Sequence, residues 1–200
     1  MASLFTLNKE EENKPAEAPS FAAIPQALFK SRTVLIFGEV DMKMAERVTA
    51  NLLALVAEDP NKDIKIVIHS PGGHVESGDT IHDVIKSLRP RVKMIGTGWV
   101  ASAGTHIYLG ADRAHRFCLP NTRFMVHQPA GGIRGTASDI QIEAEEILKA
   151  QDRINRTIAD ETGQPLSKVK DDTDRNFWMS AEEAKAYGIV SRIIERIDLA

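Results

Sequence analysis

From Thr33 onward, short runs of β-branched and apolar residues alternate with stretches whose apolar positions recur every three or four residues, and this alternation limits the fold most strongly. Repeated strand-then-helix units build a largely parallel sheet with helices on its faces, the α/β class. Thr33-Val-Leu-Ile-Phe37 reads as a buried strand. Asp41 then caps a helix carrying Met44, Val48, Leu52, Leu55 and Val56 on one face, and Pro60 stops it. Asp63 to Ile68 is a second strand, followed by the turn Ser70-Pro-Gly-Gly73, a helix from about Ser77 to Leu88, and a third strand from Val92 to Gly96. Ser102 to Leu109 predicts a short helix, Ala114 to Leu119 and Arg123 to Val126 are strand-like, and Ala130 to Gly135 is a Gly-rich extended segment. Ser138 followed by Gln141 has the form of a capping box opening a long helix, with Ile140, Ala144, Ile147, Ile154 and Ile158 at helical spacing and Gly163 as its stop. The other face of that helix is rich in Glu and Arg, so it either projects and packs on a second copy or lies on its own domain. The pattern fits both.

No repeat or second linker interrupts the chain, so residues 23–200 form one domain. Lys, Glu, Asn and Pro dominate residues 8–20, where little apolar area offsets ordering entropy. Residues 1–22 therefore read as a flexible segment, or as one that orders only when a partner docks. The chain has 200 residues and a net charge of −3, with no basic stripe, which speaks against nucleic-acid binding. A single Cys118 allows no intrachain disulfide and points to a reducing, cytoplasmic setting, and no Cys/His cluster has metal-ligand spacing. No apolar run approaches a membrane span, and the first residues lack the apolar core of a signal peptide. The G-x-x-x-x-G-K-[ST] phosphate loop is also missing, so no nucleotide cofactor is expected in this chain.

Four places combine small residues with reactive ones. Gly72 and Gly73 follow a strand, where backbone N–H groups can turn outward to meet a developing oxyanion, although a plain strand-to-helix turn needs the same residues. Ser102, in Gly96-Thr-Gly98-Trp-Val-Ala-Ser102-Ala-Gly104, stands where a strand enters a helix. Such a Ser is exposed and has a neighbouring N–H, but Val100 breaks the G-x-S-x-G pattern, and taken alone Ser102 reads as a helix N-cap. His127 ends an apolar strand, as a general base or as a hydrogen-bonded rim residue; His106, four residues after Ser102, is a rival base. The polar run Asp171 to Asn176 precedes a capped helix start at Ser180 and is either functional or a solvated turn.

Together these segments resemble the proteolytic subunit of the Clp protease family. The motifs are Ser70-Pro-Gly-Gly73, Ala101-Ser-Ala-Gly104, Leu119-Pro-Asn121, Met125-Val-His-Gln-Pro129, Thr162-Gly-Gln-Pro165 and Met179-Ser-Ala-Glu-Glu-Ala184, in order from about Thr33 to Ile194. The resemblance implies a crotonase-like fold whose long helix after Ser138 is a handle between two stacked heptameric rings. It implies Ser102 as nucleophile, His127 as base, and the N–H groups of Gly73 and Ala103 as oxyanion hole. Gly131, Gly132 and Ile133 would hold extended substrate by strand addition, and residues 1–22 would form an axial gate. ATP would be used by a separate AAA+ unfoldase of the ClpX or ClpA type, with unfolded proteins as substrates.

The family pattern Asp-Thr-acid-Arg-Asp reads Asp172-Thr-Asp174-Arg-Asn176 here, so the third triad position is Asn. An Asn oxygen can orient the histidine but supplies no charge, and Asp172 and Asp174 are the nearby substitutes. Two other readings follow. One is a weakly active structural or regulatory ring subunit working with a second proteolytic paralogue; the other is an acyl-CoA enzyme of the crotonase superfamily.

Overall fold

The computed structural model describes residues 23–132 and 134–199. The expected N-terminal segment 1–22 and Ile133 therefore lie outside the described residues. Seven strands, β1 (Thr33–Phe37), β2 (Ile64–Ser70), β3 (Val92–Ala101), β4 (Arg116–Cys118), β5 (Arg123–Val126), β6 (Phe177–Met179) and β7 (Arg192–Ile193), form one sheet. Its main path runs β1-β2-β3-β4-β7, all parallel. The helices are α1 (Ile24–Lys30), α2 (Met42–Glu58), α3 (Val75–Ser87), α4 (Ala103–Tyr108), α5 (Ala137–Thr162), α6 (Leu166–Thr173) and α7 (Ala181–Tyr187).

Helices pack on one face of the parallel strands, so β1 buries Val34 and Ile36 while Phe37 is exposed. Ile64, Ile66 and Ile68 of β2 are fully buried, as are Val48 and Leu52 of α2. Asp41 caps α2 as its sequence predicts, its carboxylate accepting from the Met44 N–H at 2.7 Å. Arg116 is fully buried on β4, a position only complete pairing permits. Its guanidinium donates to the carbonyls of Leu109, Ala111 and Glu161 and to the Glu161 carboxylate, fastening the end of α5 to the sheet.

One sequence expectation needs correction. The long helix starts earlier than Ser138: the capping box is Thr136 with Asp139, because the Thr136 hydroxyl meets the Asp139 N–H while the Asp139 carboxylate returns to the Thr136 N–H. Between the two arrangements that its pattern fits, the structure selects the projecting one. Buried α5 residues are confined to Asn155, Ile158, Ala159 and Thr162, while Ile140, Ile142 and Leu148 are exposed. The first half of α5 projects from the domain.

Candidate active site

β3 changes partner along its length. Met94 to Gly96 pair with β4, whereas Trp99 to Ala101 pair with β5. The change falls at Gly98, whose φ of +58° is left-handed and where a Cβ would stand 2.4 Å from His69 Nδ1. The strand therefore runs to Ala101, five residues beyond the sequence expectation, and delivers Ser102 to the edge of a small subsheet made with β5 and β6.

Ser102 itself has φ +56° and ψ −124°, an uncommon conformation for a residue with a side chain. Its N–H is fixed to Met125 O at 2.9 Å, and Thr105 Oγ1 lies 2.8 Å from Val100 O and 2.9 Å from Met125 O, locking the turn into α4. The hydroxyl makes no capping bond. Ser102 thus holds the N-cap position of α4, as the sequence suggests, but its hydroxyl does not cap the helix: it lies 2.8 Å from His127 Nε2 instead.

His127 follows β5 directly. The antiparallel ladder pairs Phe124 with Met179, Met125 with Trp178 and Val126 with Phe177, so one further step sets His127 opposite Asn176. Asn176 Oδ1 lies 2.9 Å from His127 Nδ1. With Nδ1–H donating to that oxygen, Nε2 remains an acceptor for the Ser102 hydroxyl. Neither alternative carboxylate reaches the ring: Asp172 is taken by Lys168 and the Tyr187 hydroxyl, and Asp174 by Gln128 and Arg175.

Gln128 and Thr173 hold this loop in register, and the sequence reading did not single them out. The Gln128 N–H donates to Thr173 O at 2.6 Å, its side-chain amide donates to Asp174 O at 2.8 Å, and Gln151 of α5 donates to its oxygen. The Thr173 hydroxyl in turn lies 2.9 Å from the buried Asn155 oxygen. A Gln beside the strand-terminal His was their one sequence signal.

The Ser70 to Gly73 turn packs on the same place. Ser70 Oγ donates to Gly38 O at 2.6 Å and accepts from the Gly72 N–H. At Gly72, φ is +98° and a Cβ would lie 2.6 Å from Ser102 Cβ, so glycine is required by both backbone and space. Val40 donates to Gly72 O and accepts from the His74 N–H, so the Gly73 N–H takes no part in that bridge. The Ala103 N–H opens α4, where no intrahelical acceptor exists.

Beside Ser102 and His127 lies an apolar pocket whose walls include Val75, Val126, Pro129, Ile154 and Ile158. His106 also lines it but is buried, with Nε2 turned to Asp79 Oδ1 at 2.9 Å and its ring stacked 4.4 Å from His82. It is no rival base. Burial opposes the Asp79 charge, yet its hydrogen bond to His106 and the charges of His106 and Arg153 together hold its carboxyl below the usual range. Burial and the adjacent His106 depress His82. Gly131 and Gly132 are exposed and share a groove with Gly73 and His74. Burial pushes the Cys118 thiol up to about 12, which removes it as a nucleophile. Among the described residues, no group of acidic, His and Cys side chains is placed to hold a metal, and no helix is long and apolar enough to cross a membrane.

A mainly parallel α/β sheet that ends in a hydroxyl, an imidazole and an amide joined in series defines a class: crotonase-like folds bearing a serine-centred site. A profile of the Clp protease family matches residues 16–197. The ATP-dependent Clp protease proteolytic subunit 3 of Rhizobium etli is 54% identical over 94% of this chain and 96% of its own length. Proteolytic subunit 2 of Gluconobacter oxydans is 56% identical, over 93% of this chain and 83% of its own. Among solved structures, an Asn-to-Asp mutant of ClpP1 from Listeria monocytogenes superposes with a TM-score of 0.81 at 54% identity, covering 88% of this chain and 98% of that one. The chain belongs to the Clp protease family.

Proposed function

We propose that this chain is a proteolytic subunit of an ATP-dependent Clp protease, a serine peptidase that cleaves unfolded polypeptides through an acyl-enzyme at Ser102. The observation that carries the reading is the unbroken series Ser102 Oγ, His127, Asn176 Oδ1, at 2.8 and 2.9 Å. His127 Nε2 accepts the hydroxyl proton as Ser102 Oγ attacks the scissile carbonyl, then returns it to the leaving amine; water repeats the sequence on the acyl-enzyme. Asn176 fixes the tautomer. The N–H groups of Gly73 and Ala103 receive the negative oxygen of the tetrahedral intermediate. Gly131 and Gly132 offer exposed backbone to an extended substrate beside Gly73.

The exposed Ile140, Ile142 and Leu148 of projecting α5 support assembly through this helix into two stacked heptameric rings. ATP hydrolysis is assigned to a separate AAA+ unfoldase that feeds the chamber, and the cytoplasm is the proposed setting. The test is reaction of the purified protein with a fluorophosphonate probe, the adduct located by mass spectrometry. Labelling at Ser102 alone, lost in Ser102→Ala, is expected; no labelling of the assembled particle refutes peptidase chemistry in this subunit.

A further inference from the structure

Two depressions meet beside the nucleophile. The pocket at Ser102 and His127 and the groove at Gly73 share Val75 and Pro129 in their walls, so a chain that seats one side chain in the pocket continues along the groove. The groove encloses about 300 Å³ between the first turn of α3, the backbone of Gly131 and Gly132, and the face of α5 above them.

The two differ in chemistry. The pocket walls are mostly apolar, whereas the groove carries carboxylates from two separate elements, Glu76 of α3 and Glu143 and Glu146 of α5. On α5, Glu143, Glu146, Ala150 and Arg153 recur every three or four residues, which places them on one helix face, the one that lines the groove. The cations nearby already have partners. Arg153 holds Asp79 at 2.5 Å, and Lys149 holds Glu146 at 2.7 Å. His74 Nε2 lies 3.3 Å from Glu76, while its Nδ1 meets the Ser77 hydroxyl. Glu143 is exposed and has no partner among the described residues. With Arg153 and His74 facing three carboxylates, the balance of the lining is negative.

We propose that Glu76 and Glu143 make this groove select extended polypeptide that carries Lys or Arg close to the apolar side chain seated beside Ser102. The proposal deepens the peptidase reading above and rests on it. The exposed backbone of Gly73, Gly131 and Gly132 offers the same hydrogen bonds to any extended chain, so it cannot rank one sequence above another. Carboxylates on opposite walls can. Both are exposed, so the attraction acts through water and is screened by salt, which sets the selectivity at several-fold.

The test uses the assembled Ser102→Ala protein, which cannot form an acyl-enzyme, and three labelled unstructured peptides. They differ only in the residues on both sides of a single Leu, which are Lys, Gln or Glu. Fluorescence anisotropy at low ionic strength should rank their affinities Lys, Gln, Glu, with about tenfold between first and last, and the gap should narrow as salt rises. Glu76→Gln combined with Glu143→Gln should bring all three within about twofold. Glu76→Gln alone, on α3 and away from the projecting half of α5, should cut the gap to about threefold, a readout that does not depend on assembly through α5. Absence of saturable binding, equal affinities for the Lys and Glu peptides, or a ranking that survives both substitutions overturns the proposal. Because binding is read without catalysis, its outcome is separate from that of the labelling experiment. Labelling of wild-type Ser102 without any ranking sinks the selectivity alone, and a ranking without labelling sinks the peptidase reading.

Discussion

Replacing Asn176 with Asp places a negative charge where the structure has a neutral oxygen 2.9 Å from His127 Nδ1. The imidazolium formed as Ser102 attacks would then sit about 4 Å from that charge. At such a distance a charge pair is worth about 1 kcal/mol in water and about 4 kcal/mol at the effective dielectric of a protein surface. Asn176 is exposed, so the gain falls between these limits, a rate increase of about 5-fold to about 10³-fold. The upper end remains below the roughly 10⁴-fold loss known for the reverse change at a buried serine-protease triad. The assay is hydrolysis of a short fluorogenic peptide by wild type and Asn176→Asp at matched assembly, repeated across ionic strength. The increase should shrink as salt screens an exposed pair. A rate within twofold of wild type, with Ser102 labelling intact, would refute the idea that the missing charge limits this site. A slower variant would show that the amide NH₂ performs a task no carboxylate can.

Two further changes probe the scaffold. Gly72→Ala meets a φ of +98° and a Cβ position 2.6 Å from Ser102 Cβ, so kcat/KM should drop about a hundredfold, and stability by about 1–3 kcal/mol; unchanged kinetics would mean that the turn does not fix the nucleophile. Asp79 has its carboxyl lowered in the fold, so its stabilisation is present above about pH 4 and lost as pH falls through the lowered value. Asp79→Asn should therefore lower Tm at neutral pH and flatten its decline in acid, and parallel Tm curves would disprove the linkage.

Much of the scaffold could be read from local patterns. The apolar run 33–37, the Asp41 cap and Gly163 as helix stop act within a few residues of themselves, and each appears where expected. Ser102 and His127 stood out as reactive groups at strand ends, but their meeting depends on β3 leaving β4 for β5, a long-range choice with no local signature except Gly98. Only the family resemblance points to Asn176, because its opposition to His127 comes from the register of a strand 49 residues away in sequence. Thr136 was overlooked as the α5 cap because Thr and Ser two residues apart both satisfy a capping pattern, and only geometry selects between them. Gln128 and Thr173 belong to a network spread over α5, α6 and β5, which no window of sequence displays.

The placement of β7 has a bearing on how the protein is made. Arg192 and Ile193 pair with Phe117 and Cys118, so the outer edge of β4 receives its partner from β7, the last strand in chain order. During synthesis that edge, with its unpaired amides and carbonyls, stays open after every other strand has left the ribosome. Completion of the sheet consequently waits for β7, the last strand in chain order. In that interval the nascent protein presents the kind of bare strand edge on which aggregation begins.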